Sequence, residues 1–274
     1  MTLEEKFQRL RAIIADCGSL AVAFSGGVDS SFLLKTAQDI LGDHVLAITA
    51  DSVFIPREEI RAAQDFCQQY GIRQKLVPID VLDDERVRSN PPDRCYHCKR
   101  GIFERMLSAA AEEAISTLAE GSNLDDEGDY RPGMRAIREL SVRSPLREAG
   151  LCKAEIRELS QRMGLNTWDK PSMACLASRV PYGDALSAET LRAVEEAELL
   201  LHSIGLRQCR VRVHGMLARI EVLPEDFATI MDAENRREIV EAFKQFGFSY
   251  VSLDLKGFRS GSMNEPLANK NSHA

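Results

Sequence analysis

The sequence predicts an α/β fold: a doubly wound parallel sheet followed by a smaller C-terminal α+β domain. Three observations carry that prediction. Short continuous apolar runs alternate with amphipathic stretches through the first two-thirds of the chain. A glycine-containing turn, Ser25-Gly-Gly-Val-Asp-Ser30, joins the first apolar run directly to a helical pattern. Beyond residue 186 the rhythm changes to helix, hairpin, helix and a last strand.

Residues 2–16 have helical apolar spacing, and "LAVAF" (20–24) is the uninterrupted run of a strand buried on both faces. "SFLLKTAQDIL" (31–41) places Phe32, Leu33, Leu34, Ala37, Ile40 and Leu41 on a helical face. "VLAIT" (45–49) reads as the next strand. Pro56 opens and Gly71 closes the helix that follows. "KLVPI" (75–79) is strand-like, and its proline puts it at an edge or an end. A helix over about 99–113 and the run "ISTLAEG" (115–121) complete another alternation. The acidic stretch 121–136 reads as loop, 151–164 as a helix closing on glycine, and 165–185 as an irregular loop long enough to be functional. Then come a helix from Ser187, the hairpin "QCRVRVHG" and "LARIEVL", a helix over about 224–246 and the strand "YVSLDL" (250–255). This places a first domain at 1–183, including the loop that carries Cys175, a substrate or oligomerisation domain at 184–260, and a flexible tail at 261–274.

Ligands of parallel sheets gather at the carboxyl ends of strands, so the loops after Phe24, Thr49 and Glu120 are expected to converge. The 35 basic against 42 acidic residues, net −7, disfavour a general polyanion binder and favour a small-molecule substrate. The N-terminus has no basic n-region with an apolar h-region, and no apolar run approaches the ~20 residues of a membrane span. A cytoplasmic protein with no membrane or nucleic-acid partner is expected. Seven cysteines in a reducing compartment point to free thiols, metal ligands or catalysis.

In the turn, Gly26 and Gly27 let backbone N–H groups face a ligand, Ser25, Ser30 and Ser31 add hydroxyls, and a helix N-terminus follows. That is a phosphate cradle, and without G-K-[ST] it is not of the Walker type. "RCYHCK" sets Cys95 and Cys98 at C-x-x-C spacing among Arg94, His97, Lys99 and Arg100, a setting that favours thiolate. Cys175 in "PSMACLASRVPYG" is a third notable thiol. Zinc, a redox pair and a three-thiolate [4Fe-4S] cluster with one open iron all fit this pattern. Cys17, Cys67, Cys152 and Cys209 lie in or at the ends of predicted helices and strands and read as packing residues.

The turn resembles the S-G-G-x-D-S signature of the PP-loop ATP pyrophosphatases, which share an adenine nucleotide alpha hydrolase-like fold. "FSGGVDSSFL", "EGSNLDDEGDYRPG", "SPLREAGLCKAEIR" and "KPSMACLASRVPYG", in that order and continuing into "RVRVHGMLARIEV", resemble the LarE family of ATP-dependent sulfur transferases. The resemblance implies use of ATP with Mg²⁺ to adenylate the carboxylates of pyridinium-3,5-biscarboxylic acid mononucleotide, release of pyrophosphate and insertion of sulfur. The product belongs to nickel-pincer nucleotide biosynthesis for lactate racemase. Ser25, Gly26, Gly27, Asp29, Ser30 and, in "TADS", Ser52 would bind ATP; Asp29 would also hold Mg²⁺ or the pyrophosphate, and Asp29 and Cys175 would be the catalytic residues.

In one branch of the family the P-S-x-x-C cysteine itself gives up sulfur. In the other, three cysteines hold a [4Fe-4S] cluster, and Cys95, Cys98 and Cys175 put this chain there. The resemblance further assigns Ser178, Arg179, Arg210 and Arg212 to the substrate phosphate, which suits bidentate guanidinium groups and the same-side spacing of 210 and 212 on a strand. Glu198 and Glu221 would be carboxylates near a metal. A homo-oligomer, up to a hexamer, and an external sulfide source are also implied. Two rivals remain: a PP-loop tRNA thiolase, disfavoured by the net charge and the lack of an added RNA-binding module, and a non-catalytic ATP-binding iron-sulfur redox sensor.

Overall fold

The structure is a computed structural model that describes residues 1–128, 132–171, 174–259 and 261–262. Strands β1 (Leu20–Ala23), β2 (Val45–Asp51), β3 (Gln74–Pro78) and β4 (Leu118–Ala119) form a parallel sheet in the order β3-β2-β1-β4. The proline-bearing strand is the edge, because a residue without an N–H interrupts the ladder least there. Alternate residues divide between two cores. Leu20 and Val22 of β1 pack with Leu10, Phe32, Phe66 and Ile156 on one side of the sheet, while Ala21, Leu46 and Ile48 pack with Phe103, Met106 and Ile137 on the other. Both faces are therefore covered, the condition for continuous apolar strands such as "LAVAF".

The punctuation works as its chemistry dictates. Thr2 and Glu5 form a reciprocal cap on the first helix, and Gly71 ends the helix Arg57–Tyr70 in the left-handed conformation. Three boundaries differ from expectation. The helix after the glycine turn starts at Val28, so Asp29 and Ser30 lie in its first turn. The helix expected at 99 starts at Arg94, carrying both C-x-x-C cysteines into it. The acidic stretch expected as loop to 136 gives way to a helix at Pro132, a residue pre-shaped for a first turn. Asp129, Tyr130 and Arg131 of "DYRPG" lie outside the described residues.

The chain divides into two compact units, Met1–Val81 with Asp93–Met173, and Leu82–Pro92 with Ala174–Ala274. Within the second, the Asn90 amide donates to the carbonyls of Pro181 and Asp184 at 2.7 and 3.0 Å, and Leu186 N–H bonds the Arg88 carbonyl. Those bonds group Leu82–Pro92 with the segment from Ala174, where the sequence puts a boundary ten residues later.

The second unit holds the hairpin β5 (Cys209–His214) and β6 (Leu217–Val222), with β7 (Tyr250–Leu253) parallel to β6, and the helix Ala188–Ser203 packs on β5. The single helix expected over 224–246 is interrupted: extended Asp232 separates Phe227–Met231 from Ala233–Gln245 and accepts the Glu234 and Asn235 N–H groups as a cap. Gly261 and Ser262 belong to the fold, Ser262 being buried, although the sequence places both in a frayed tail; 263–274 lie outside the described residues. Among the described residues no helix is long and apolar enough to cross a membrane.

Candidate active site

The carboxyl ends of β1, β2 and β4 open into a cavity of about 630 Å³, within the range of small-molecule sites. Phe24, Ser25, Gly27, Asp29 and Ser30 line it from the glycine turn, Thr49 and Ala50 from β2, and Glu120 to Asn123 from the loop after β4. The three expected loops do meet. Ile55, Ile102, Phe103 and Met106 add apolar lining of the kind a flat base needs.

The two glycines of the turn do different jobs. Gly26 has φ of +71° and faces Ala63 of the neighbouring helix, so its role is conformational. Gly27, a residue of the cavity wall, caps the helix with no side chain of its own. The Ser25 and Ser30 hydroxyls lie 3.1 Å apart at the same mouth. Ser52 is buried off the cavity wall, where its hydroxyl accepts the Phe54 N–H at 3.2 Å and shapes the turn after β2.

Asp29 is held from two sides. One oxygen pairs with the Lys153 ammonium, and the other accepts from the Asn123 amide at 3.4 Å. Lys153 is the first residue of its helix, and its own N–H bonds Asp125 at 2.9 Å, so "LCKAE" and "GSNLDD" are tied together around Asp29. Glu120 is buried at the end of β4 and accepts from the Ser122 N–H, the Ser122 hydroxyl and the Ser144 hydroxyl, which fixes the start of this loop. Gly121 then passes so close to the glycine turn that a Cβ would stand 3.0 Å from the Ser30 nitrogen. Sequence reasoning missed Lys153, Asn123 and Gly121, although all three lie inside motifs it had singled out.

Cys95 and Cys98, both half-buried, sit at i and i+3 on the helix Arg94–Glu112 and so share a face. His97 turns to Asp93 at 3.3 Å, and Tyr96 is fixed by a 2.6 Å bond to Glu139. All seven cysteines are free. Burial pushes the thiols of Cys67 and Cys209 up to about 12, which agrees with packing roles for those two. Among the described residues no three His, Cys, Asp or Glu side chains converge closely enough to hold a metal ion by themselves. Two thiols one helical turn apart nonetheless fit an iron-sulfur group chemically, as two of its ligands.

Cys175 is exposed and belongs to the second unit, where it opens the short turn Leu176–Arg179. Its carbonyl accepts from the Ser178 N–H at 3.0 Å, the Ser178 hydroxyl at 2.8 Å and Arg179 Nη1 at 3.2 Å. Arg179 also takes the Ala174 carbonyl at 2.8 Å and grips Glu198 with two parallel bonds of 2.9 and 2.8 Å. The expected phosphate binders Ser178 and Arg179 thus brace the backbone of the cysteine turn in this arrangement.

The same unit gathers Arg210 and Arg212 of β5, both buried. Glu221 of β6, fully buried, lies opposite Arg210 in register and pairs with Arg212 at 3.0 Å. Arg212 also bonds the Ser178 carbonyl at 2.8 Å. Burial, and then the nearby Arg179 charge, pulls the Arg210 guanidinium below its ordinary value. Glu198 and Glu221, read from sequence as carboxylates near a metal, are occupied by arginine: Glu198 by Arg179 and the Val211 N–H, Glu221 by Arg212, Arg219 and Ser262. Buried charge on this scale is retained only where it is paired.

Comparison with known proteins matches residues 3–90 to the NAD synthase family. Over its length the chain is 40% identical to an uncharacterized protein of Synechocystis sp., covering 97% of this chain and 99% of that one. It is 39% identical to the pyridinium-3,5-bisthiocarboxylic acid mononucleotide synthase of Lactiplantibacillus plantarum, over 97% of this chain and 96% of the relative. A tRNA-specific 2-thiouridylase of Rickettsia rickettsii is 25% identical over 56% of this chain and 52% of its own.

Proposed function

The chain belongs to the pyridinium-3,5-bisthiocarboxylic acid mononucleotide synthase (LarE) family within the PP-loop proteins, and from that premise we propose that it is an ATP-dependent sulfur transferase acting on pyridinium-3,5-biscarboxylic acid mononucleotide. The observation that carries the reading is the cavity at the strand ends, which the glycine turn and an Asp29 held by Lys153 and Asn123 line together with apolar side chains. A 2-thiouridylase shares only part of the chain, which favours the small substrate over tRNA.

In this reading the turn amides and the Ser25 and Ser30 hydroxyls take the β and γ phosphates of ATP, with Gly26 shaping the turn, while Lys153 and Asp29 sit at the leaving pyrophosphate. A substrate carboxylate oxygen attacks the α phosphorus, the bond to the bridging oxygen breaks, and pyrophosphate departs. The adenylated carboxyl then accepts sulfur in exchange for AMP. Mg²⁺ would supply positive charge to the departing pyrophosphate. Asp29, Asp125 and Asp126 line the cavity where the pyrophosphate would leave and would hold Mg²⁺ there, whereas Glu198 and Glu221 lie off that cavity wall with their oxygens engaged by arginine. Arg210 and Arg212, with Ser178 and Arg179 beside them, would take the substrate phosphate.

A [4Fe-4S] cluster on Cys95, Cys98 and Cys175 would supply the sulfide nucleophile, so Cys175 would be a ligand and survive turnover. An external sulfide source, a homo-oligomeric assembly and delivery of the product toward a nickel-pincer nucleotide for lactate racemase complete the proposal. Two measurements test it. Pyrophosphate release should require the pyridinium dicarboxylate mononucleotide and not respond to tRNA. Anaerobic reconstitution with iron and sulfide should give a cluster spectrum that Cys175→Ala loses. No cluster in the native protein, or dehydroalanine at 175 after one turnover, would instead place the chain in the branch that sacrifices its cysteine.

A further inference from the structure

Two contacts to the buried arginines come from outside the sheet and its helices. After β7 the chain turns back at Gly257, whose φ is +72° and where a Cβ would stand 2.9 Å from the Val222 carbonyl. Only glycine passes that close to β6 in that conformation. The Phe258 N–H then donates to the same carbonyl at 2.7 Å, and the Phe258 ring lies 5.3 Å from the guanidinium carbon of Arg210. Four residues on, the Ser262 hydroxyl accepts from Arg212 Nη2 at 2.8 Å and lies 3.2 and 3.3 Å from the two Glu221 oxygens.

The chemistry of that hydroxyl has one solution. Arginine only donates and an ionised carboxylate only accepts, so Ser262 accepts from Arg212 and donates to Glu221. It therefore fixes the rotation of the Arg212 fork and satisfies part of the Glu221 charge that would otherwise oppose an incoming anion. Phe258 acts on the other arginine, offering a ring face that orients the Arg210 plane.

We propose that Phe258 and Ser262, which follow β7, are positioning residues of the substrate-phosphate site, setting Arg210 and Arg212 to receive the phosphate of the mononucleotide. This rests on the reading that these two arginines bind that phosphate.

The test uses the full-length protein, comparing KM and kcat for the mononucleotide with those for the same pyridinium dicarboxylate nucleoside lacking its phosphate. Losing one hydrogen bond to a charged group should raise the mononucleotide KM of Ser262→Ala about tenfold. Its nucleoside KM and ATP KM should not move, and Ser262→Thr should restore the native value. Phe258→Leu should raise the mononucleotide KM about three- to fivefold. An unchanged or lower mononucleotide KM in Ser262→Ala overturns the proposal, as does an equal rise for both substrates, which would mark a purely structural role. Arg212→Lys separates the two levels. If it weakens the mononucleotide while Ser262→Ala does not, the phosphate reading stands and the positioning role falls. If Arg212→Lys does not weaken it, both fall.

Discussion

Adding one methyl group at Gly121 is expected to cripple nucleotide binding without removing any group assigned to the nucleotide. The new Cβ would stand 3.0 Å from the Ser30 nitrogen and 3.3 Å from both the carbonyl carbon and the Cβ of Asp29. Backbone atoms of a first helical turn cannot swing aside as a side-chain tip can, and the Ser30 amide is one of the donors that no carbonyl of its own helix takes. Either the glycine turn or the loop from Glu120 must retreat. Overpacking of this kind costs about 1–3 kcal/mol, so the ATP dissociation constant should rise roughly 5- to 150-fold if the strain is relieved on binding-competent atoms. Calorimetric titration with ATP reads this directly, and a thermal melt reports whether the fold survives. Gly101→Ala is the control, since a Cβ there meets nothing within 4 Å inside a long helix and should stabilise by roughly 0.5–1 kcal/mol. A Gly121→Ala protein that binds ATP within about twofold of the native one would refute the idea that this close approach shapes the cradle.

Lys153→Met should lower the rate of pyrophosphate release about a hundredfold with the melting temperature little changed, because it removes a charge from beside Asp29. Arg179→Met strands a buried Glu198 and should cost about 3–5 kcal/mol in urea unfolding, whereas Arg57→Met, which breaks an exposed pair with Asp51, should cost less than about 1 kcal/mol. Equal losses would contradict the burial argument. Brief alkylation of the cluster-free protein near pH 8 followed by mass spectrometry should label Cys175 and spare Cys67 and Cys209, whose thiols stay protonated up to about 12. The same two thiols ionise near 9 once unfolded, so between 9 and 12 the folded chain holds more protons and stability should fall as pH rises, by up to about 1.4 kcal/mol per pH unit for each. Replacing either with alanine should flatten that slope.

The parallel sheet and its ligand end were legible because strand, glycine turn and helix follow one another within a few residues of sequence. "LAVAF" has the continuous apolar run of a doubly covered strand, and "SGGVDS" follows it directly. The start of the helix at Arg94 was hidden because "RCYHC" shows no apolar period, its only buried members being Arg94 and Tyr96. The arginine cluster was half legible. Positions 210 and 212 share a strand face by simple alternation, but Glu198 looked like one more acid on an acid-rich helix. Nothing local says that Arg179 will meet it nineteen residues away in a closed interior. Ser262 was missed for the opposite reason: a glycine-serine tail has the composition of a frayed end, and only its long-range bond to Arg212 gives it a place.

Arg179 leaves the sulfur of Cys175 unusually independent of the chain that bears it. The carbonyls of Ala174 and Cys175 are clamped by a guanidinium that is itself locked to Glu198, while the cysteine remains exposed. The backbone beneath the thiol is thus secured without using the thiol at all. Whatever that sulfur binds, releases or loses, the bracket that carries it keeps its shape, so the protein has a fixed mount for a replaceable part.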